Sequence, residues 1–329
     1  MDKSFCKRDI MLQVLRIFSG GVMLVHIGYR YEISGFMGKV CQLGQYGLYA
    51  FFVISGYFAA AWDGNNKTKY IKKKIVRLIP VYYLMLMIYI TLHSFIINDV
   101  PTDMYRMGWF RFIIGLNSIL PSEVIFWKGI HAIWYVSAVW IFYLAHTILW
   151  GKVKDLPVRF WITLFFLFSI LAVTIGKFDP LYSVNILAFI QYFILGIIAQ
   201  KYDRKKQSFV FVVLIIVPII VYILNDYWLS KNITFSLIFA LVIVLVKDRW
   251  RVYPNKTIEK ICNNLDQYTY ALFLVHPFFI DFLGTYTMRT TISKILQLLI
   301  FFIATMVSVI IIRLFEVKAK NILIKAFNI

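Results

Sequence analysis

The chain has 329 residues, of which 61% are hydrophobic, with a mean hydropathy of +0.75 and a formal charge of +19. Its apolar residues form long runs, such as 209–224 and 295–312, that a water-soluble protein of this size would not carry. The runs are continuous rather than alternating, which argues against membrane-spanning strands. The composition therefore predicts an all-α protein, a polytopic transmembrane helical bundle.

The order of apolar runs and polar loops predicts about ten spans. They cover residues 10–29, 45–62, 78–97, 131–150, 160–175, 182–200, 209–224, 233–246, 268–287 and 295–315. The fourth span has room to start earlier, and the short eighth span is compatible with a half-helix. The longest loops, 98–129 and 247–267, are too short to fold alone, so residues 1–329 are expected to form a single integral-membrane domain.

Positive charge alternates between the two sides of the predicted bundle. Of the 35 Lys and Arg residues, 24 lie in the even-numbered loops and at the two chain ends, and nine lie in the odd-numbered loops. By the positive-inside rule, both termini are cytoplasmic, and the protein is a multi-pass protein of the cell inner or plasma membrane. Topology and anionic lipid account for the positive surplus, so no nucleic-acid partner is expected.

Neither a cleaved signal nor a metal site is indicated. The first apolar segment contains Arg16 and has no small-residue cleavage pattern, so we expect it to remain as an uncleaved span. Cys6, Cys41 and Cys262 lie in different regions, without the spacing of a disulfide framework or of a metal site. The sequence therefore predicts no metal and places any chemistry in or beside the bundle.

The first span holds two ionisable side chains, Arg16 and His26. Only the thirteen residues 17–29 lack fixed charge, whereas about 20 apolar residues are needed to cross a bilayer core. An arginine at the membrane centre costs at least ~2.5–3.5 kcal/mol, and such residues normally face a polar cavity. Both side chains are therefore candidates for a site inside the bundle. Alternatively, Arg16 extends to the cytoplasmic face and His26 packs against neighbouring helices.

Two further stretches combine small or basic residues with a span. GLYAFFVISGY contains Ser55 and Gly56, and small residues at this position are also explained by close helix packing. KKKIVRLIPVYY places Lys74 and Arg77 three residues apart, on one helical face, where the two cations could bind phosphates. A basic cluster at the edge of a span is alternatively an anchor that fixes topology.

A fourth stretch, YTYALFLVHPFF, lies late in the chain, and in it His276 precedes Pro277. Proline has no backbone N–H and therefore frees a carbonyl of the preceding helical turn. His276 either satisfies such a carbonyl or takes part in a functional site, and the sequence leaves both interpretations open.

Together these stretches resemble the acyltransferase 3 family of membrane O-acyltransferases. LRIFSGGVMLVH, GLYAFFVISGY, KKKIVRLIPVYY and YTYALFLVHPF occur in the same order as the family's LRGIAxxxVVxxH, GVDxFFVLSGF, KRRxxRIxPxY and SYxxYLxHxP. HAIWYVSAVWIFY is similar to the family's WSLSVEEQFY region through Trp134, Ser137, Phe142 and Tyr143. The resemblance covers the first stretches of the chain and two later patches, and elsewhere it extends only to hydrophobic spans.

This sequence departs from the family pattern at several positions. Nine residues separate Arg16 from His26 where the family has ten, which leaves the two side chains about 80° apart on an α-helix. A tightened turn at Gly20-Gly21 would restore the register, and we expect both side chains to line one cavity. Lys74 stands where the family has the first arginine of its basic pair. In the fourth span, Val139 and Trp140 replace the family's paired glutamates.

The resemblance implies transfer of an acyl group, most often acetyl in that family, from cytoplasmic acetyl-CoA or another acyl-CoA to a hydroxyl of an extracytoplasmic or lipid-linked glycan. In this scheme His26 is the general base and Arg16 faces the donor. The expected CoA-phosphate ligands are Lys73, Lys74 and Arg77. The expected lining of the substrate cavity is Ser55, Trp134, Tyr135, Ser137 and His276. The expected partners are the glycan or lipid-linked sugar acceptor, acyl-CoA, membrane lipid and proteins of polysaccharide biosynthesis.

A transporter or flippase that moves a polysaccharide or lipid without acyl chemistry is the alternative function. Ten spans, a cation at membrane depth and aromatic-rich cavities would also suit it. It predicts a polar path through the whole bundle and no role for the basic cluster around Arg77, whereas the enzyme needs that cluster to bind CoA. A sensor or scaffold has little support, because the sequence shows no receptor-like extracellular domain.

Overall fold

A computed structural model of the chain describes residues 10–25, 41, 44–92, 94, 108–116, 118–119, 133–178, 186–202, 215–217, 219–220, 223, 228–246, 256–284 and 291–328. Every element in these ranges is helical, and no strand occurs in them. The predicted all-α class is therefore confirmed.

Eleven α-helices with defined bounds are numbered here in chain order, and residues 215–217, 219–220 and 223 are helical as well. The numbered helices are α1 Ile10–Val25, α2 Gly47–Ala60, α3 Lys67–Leu92, α4 Gly108–Ile113, α5 Trp134–Val153, α6 Val158–Phe178, α7 Ile190–Lys201, α8 Trp228–Val246, α9 Lys256–Asp266, α10 Thr269–Gly284 and α11 Thr291–Phe327. Single turns of 3₁₀ helix, Gly44–Tyr46 and Ile186–Ala188, precede α2 and α7.

Three helical stretches, Lys67–Thr91, Trp134–Val153 and Leu296–Phe327, are long and apolar enough to cross a membrane. The shorter apolar helices are Ile10–Val25, Gly47–Ala60, Val158–Thr174, Ile186–Lys201, Lys231–Leu245 and Thr269–Phe279. The seventh predicted span, 209–224, falls mostly outside the described residues. Ten spans and cytoplasmic termini therefore stay predictions.

Two helices are longer than the sequence predicted. The eighth span, for which a half-helix was an option, is the 19-residue helix α8. The last span, predicted as 295–315, is the 37-residue helix α11, and at about 1.5 Å per residue it is longer than a bilayer core of ~30 Å. The hydropathy of the sequence locates only the apolar segment that fits the membrane. The helix extends beyond that segment, because residues outside the membrane also form helical backbone hydrogen bonds.

Helix α3 begins at Lys67, eleven residues before the predicted start of the third span. The side-chain oxygen of Asn66 accepts a hydrogen bond from the backbone N–H of Lys69 over 2.9 Å, which caps the first turn. Lysine is a good helix former, so the charged stretch joins the span in one helix. The basic cluster is therefore held on a rigid helical face rather than in a loop.

Helices α2 and α7 cross at the centre of the bundle with their backbones in contact. A Cβ atom on Gly56 would lie 1.9 Å from the carbonyl oxygen of Phe193, and one on Gly196 would lie 1.9 Å from that of Val53. No side chain fits at either position without backbone movement. Gly56 thus serves the close helix packing that the sequence offered as one interpretation of this motif.

Helix α1 packs against α2, α9 and α10. A Cβ atom on Gly47 of α2 would lie 2.5 Å from the carbonyl oxygen of Ser19, and Gly20 faces side chains of α10. The side-chain amide of Gln13 donates a hydrogen bond to Asn263 of α9 over 2.8 Å. These contacts fix both the depth and the rotation of α1.

The tightened turn expected at Gly20-Gly21 is not present, because α1 is α-helical from Ile10 to Val25. Gly20 lies against α10, while a Cβ atom on Gly21 would meet nothing within 4 Å. His26 lies outside the described residues.

Hydrogen bonds gather several basic loops at one end of the bundle, here called the basic end. The indole N–H of Trp150 donates to the carbonyl oxygen of Trp62 over 2.7 Å, and Lys154 donates to that of Asp63 over 3.3 Å. Lys201 in turn donates to the carbonyl oxygen of Lys154. The ends of α2, α5 and α7 and the start of α3 therefore meet at the basic end.

Candidate active site

A cavity of about 50 Å³ lies between α1, α2, α3, α5 and α10. Its polar lining residues are Arg16, Ser55, Arg77, Tyr135, Tyr143, Thr269 and Tyr270. Its apolar lining residues are Phe51, Ile54, Phe58, Leu78, Val139 and Phe273. One water needs about 10–15 Å³ of such space, so the cavity has room for a small group such as a short acyl chain.

The cavity lies in the half of the bundle nearer the basic end. Ser55 is five residues before the end of α2, and Tyr143 is ten residues before the end of α5. Arg77 is ten residues after the start of α3. A ligand that enters from the basic end therefore reaches this cavity before the opposite half of the bundle.

Arg16 reaches the cavity from α1 and forms an ion pair inside the bundle. Its Nε atom lies 3.2 Å from Oδ1 of Asp266, the last residue of α9, and only 11% and 9% of the two side chains are exposed. The two atoms form an ion pair, but their geometry is not that of a hydrogen bond. Arg16 Cζ also lies 5.4 Å from the ring centroid of Phe58. The guanidinium is therefore held within the bundle rather than extended to its surface.

Lys74 and Arg77 reach the cavity region from one face of α3, as their spacing predicted. Arg77 lines the cavity and remains exposed. Lys74 turns inward, and its Nζ lies 3.9 Å from the ring centroid of Tyr143 and 4.9 Å from that of Tyr70. Lys73, by contrast, is exposed.

Ser55 shares the cavity wall with two tyrosines. Tyr135 and Tyr143 lie two helical turns apart on α5, and both line the cavity together with Ser55. With the Lys74 ammonium over the ring of Tyr143, a cation and three hydroxyl-bearing side chains meet at the cavity. Such a group of side chains can both orient a hydroxyl and accept its proton.

The cavity wall is apolar where the family motif has an acid. Val139, which stands in place of one of the paired glutamates, is a lining residue between Tyr135 and Tyr143. None of the thirteen described lining residues is a carboxylic acid. Among the described lining residues, the groups able to take part in proton transfer are hydroxyls and cations.

Two of the expected cavity residues, Trp134 and Ser137, are not among the lining of this cavity. Trp134 packs on Phe189, with ring centroids 4.5 Å apart. Ser137 donates a hydrogen bond to the carbonyl oxygen of Gly115 over 2.7 Å and accepts one from the backbone N–H of Ser118 over 3.2 Å. These contacts join the segment after α4 to the start of α5.

His276 is also not among the cavity lining. Its Nδ1 atom lies 3.1 Å from the carbonyl oxygen of Leu272, one helical turn earlier. This contact matches the interpretation that His276 satisfies a helix carbonyl, although Pro277 removes the partner of a different one, that of Phe273. His26, the expected general base, lies outside the described residues.

Two residues at this site were not predicted as functional. Tyr143 ends the HAIWYVSAVWIFY stretch, and its spacing of eight from Tyr135 is the only signal that both approach one point. Asp266 directly precedes the YTYALF stretch and is an isolated acid, which gave no indication of its partner Arg16. Within the described ranges, no group of three His, Cys, Asp or Glu side chains is placed to hold a metal ion.

Comparison with known protein families agrees with the resemblance seen in the sequence. A family model described as an acyltransferase domain matches residues 12–314, nearly the whole chain. No curated protein and no solved structure matches the chain. The family match begins in α1 and ends in α11, so it includes every helix that contributes to the cavity.

Proposed function

This chain belongs to the acyltransferase domain family, and on that basis we propose a specific reaction for it. The protein is a multi-pass O-acyltransferase of the cell inner or plasma membrane. It moves an acyl group, acetyl or another short acyl, from cytoplasmic acyl-CoA to a hydroxyl of an extracytoplasmic or lipid-linked glycan. The product passes to the proteins of polysaccharide biosynthesis.

The observation that carries this proposal is the meeting of Arg16 and Arg77 at one small cavity near the basic end. By the positive-inside rule the basic end faces the cytoplasm, where acyl-CoA is made. Guanidinium groups bind phosphate and carbonyl oxygens through several N–H donors at once. The apolar remainder of the lining suits the acyl chain, so the cavity fits the reactive end of an acyl-CoA.

We assign the binding of the CoA phosphates to the exposed cations of α3. Lys73 and Arg77 are both exposed, and they bind the CoA phosphates outside the cavity while the thioester extends into it. Lys74 was expected among these ligands, but its ammonium lies on the ring of Tyr143. We assign it to the chemistry of the cavity instead.

His26 is assigned as the general base for the acceptor. Its spacing of ten residues from Arg16 supports a position on the acceptor side of the site. A sugar hydroxyl is a poor nucleophile at neutral pH, and a positioned base accelerates such a transfer by about 10²–10⁴-fold.

The test is transfer of radiolabel from acetyl-CoA into cell-envelope glycan. Membranes with the wild-type protein are compared with membranes that hold His26→Ala at the same protein level. The proposal predicts label in the glycan with the wild type and its loss with His26→Ala. Equal label in both would remove His26 from the mechanism. No label in either, with acetyl-CoA or succinyl-CoA as donor, would favour a transporter.

A further inference from the structure

We propose that the acyl group passes through a covalent ester on Ser55, an inference that rests on the proposed acyltransferase function. Two aliphatic hydroxyls line the described cavity, those of Ser55 and Thr269. The Thr269 hydroxyl donates a hydrogen bond to the backbone carbonyl oxygen of Asp266 over 2.8 Å. Ser55 instead shares the cavity with side chains that can activate it, Tyr135 and Tyr143.

The arrangement around Ser55 has the three parts that an activated nucleophile requires, namely a nucleophile, a base and a group that orients the base. Tyr143 lines the same cavity as Ser55, and the Lys74 ammonium lies over its ring. Lys74 Nζ lies 3.9 Å from the centroid of the Tyr143 ring, and Arg77 lines the same cavity. Both cations stabilise negative charge on the phenolic oxygen during proton transfer.

The donors for the oxyanion are also present. Attack on a thioester places negative charge on the former carbonyl oxygen, and hydrogen-bond donors at that position lower the barrier. Tyr135 and Arg16 both line the cavity and carry such donors. Because α5 and α1 hold them on rigid helices, these donors need little rearrangement during the reaction.

In the first half-reaction, Tyr143 acts as a phenolate paired with the Lys74 ammonium. The Ser55 oxygen attacks the acyl carbon, the Ser55 proton moves to the Tyr143 oxygen, and the carbon–sulfur bond breaks. The CoA thiolate leaves and takes a proton from cytoplasmic water. The products are acyl-Ser55, neutral Tyr143 and CoA.

In the second half-reaction, the acceptor hydroxyl attacks the acyl carbon of acyl-Ser55. His26 takes the acceptor's proton and later releases it to water, while Tyr143 returns the stored proton to the departing Ser55 oxygen. The ester of the acceptor forms, and Ser55 and the Tyr143 phenolate are restored. Ser55 and Tyr143 thus serve the donor, whereas His26 serves only the acceptor.

This division of roles predicts that His26→Ala traps the intermediate. Purified protein in lipid nanodiscs is incubated with radiolabelled acetyl-CoA or succinyl-CoA without acceptor, then denatured and digested for peptide mass spectrometry. We expect label on Ser55 in the wild type. In His26→Ala the same label should persist after an acceptor extract is added, whereas in the wild type it should be lost.

Four variants separate a nucleophile from a structural hydroxyl. Ser55→Ala should carry no label. Ser55→Cys should carry the acyl group as a thioester, which neutral hydroxylamine cleaves. Tyr143→Phe should label about 10²–10⁴-fold more slowly, since it lacks the base. Tyr89→Phe is the matched control, because its hydroxyl donates to the carbonyl oxygen of Leu274 over 3.1 Å and is not among the cavity lining, so labelling should be unchanged.

The outcomes distinguish the intermediate from the function. Glycan label with the wild type, together with an unlabelled Ser55 in His26→Ala or full transfer by Ser55→Ala, would overturn the covalent intermediate and leave the acyltransferase in place. Absence of both glycan label and protein label would contradict the proposed function and, with it, the intermediate.

Discussion

Arg77 marks the entrance of the cavity, where an exposed guanidinium meets a partly apolar interior. If it binds a CoA phosphate, Arg77→Ala loses a charge-assisted contact worth about 1.5–3 kcal/mol. We therefore expect the KM for acyl-CoA to rise about 10- to 100-fold, with little change in kcat at saturating donor. Steady-state kinetics with acyl-CoA as the varied substrate measure this.

Arg159→Ala is the matched control for Arg77. Arg159 is an exposed cation near the start of α6 and is not among the cavity lining, so its loss should leave the KM for acyl-CoA unchanged. An equal rise in both variants would mean that general positive charge, and not Arg77, attracts the donor. An unchanged KM in Arg77→Ala would remove it from the donor site.

Asp266 and Arg16 form a mostly buried ion pair, 3.2 Å apart. Removal of one member of a buried pair leaves an uncompensated charge, at a cost of about 3–5 kcal/mol. We expect Asp266→Asn and Arg16→Gln each to lower the thermal denaturation temperature in detergent. The double variant should lower the denaturation temperature by much less than the sum of the two single variants, because it leaves neither charge without its partner. Additive losses would show that the two side chains do not interact.

At the scale of single residues, the sequence predicted part of this site. The three-residue spacing of Lys74 and Arg77 predicted that they share one face of α3. The cost of burying a cation in the membrane indicated that Arg16 belongs to a site inside the bundle. The meeting of Ser55 and Tyr143 at one cavity and the Arg16–Asp266 ion pair join residues far apart in the chain. No periodicity connects such residues, so only the packing of the helices brings them together.

The crossing of α2 and α7 depends on Gly56 and Gly196. A methyl group at either position would lie 1.9 Å from a backbone carbonyl oxygen, and helix backbones cannot yield as a side chain can. We expect Gly56→Ala and Gly196→Ala to lower stability by at least the ~1–3 kcal/mol typical of overpacking. Thermal denaturation in detergent measures the loss.

Gly21→Ala and Gly151→Ala are the controls for this crossing. A Cβ atom at either position meets nothing within 4 Å, so alanine should stabilise the helix by about 0.5–1 kcal/mol. The two sets of glycines should therefore change the denaturation temperature in opposite directions. A stable Gly56→Ala variant would show that α2 and α7 are further apart.

At the scale of helices, apolar runs located the elements but not their ends. The third span was predicted from Leu78, whereas α3 starts at Lys67, because the Asn66 cap and helix-forming lysines extend it beyond the membrane segment. Likewise, the predicted turn at Gly20-Gly21 rested on glycine's freedom, but the α-helical hydrogen bonds of α1 continue through both residues. A glycine allows a helix to be distorted, but it does not by itself cause the distortion.

The whole molecule is expected to have both termini in the cytoplasm, because basic residues dominate the loops on that side. Green fluorescent protein fused after Ile329 should fluoresce, and alkaline phosphatase fused there should be inactive. The same reporters fused after Asp179, in a loop predicted on the opposite side, should give the reverse result. Active phosphatase after Ile329 would invert the topology and with it the assignment of the basic end to the donor.

The central claim is that the cavity between Arg16, Ser55 and Arg77 receives the reactive end of an acyl-CoA. The most direct measurement is an experimental structure of the protein in nanodiscs with a thioether analogue of acetyl-CoA, which cannot transfer its acyl chain. We predict phosphate density beside Arg77 and Lys73, and the terminal carbons in the cavity at about 3–3.5 Å from the Ser55 oxygen. An analogue bound elsewhere, with the cavity unchanged, would contradict the claim.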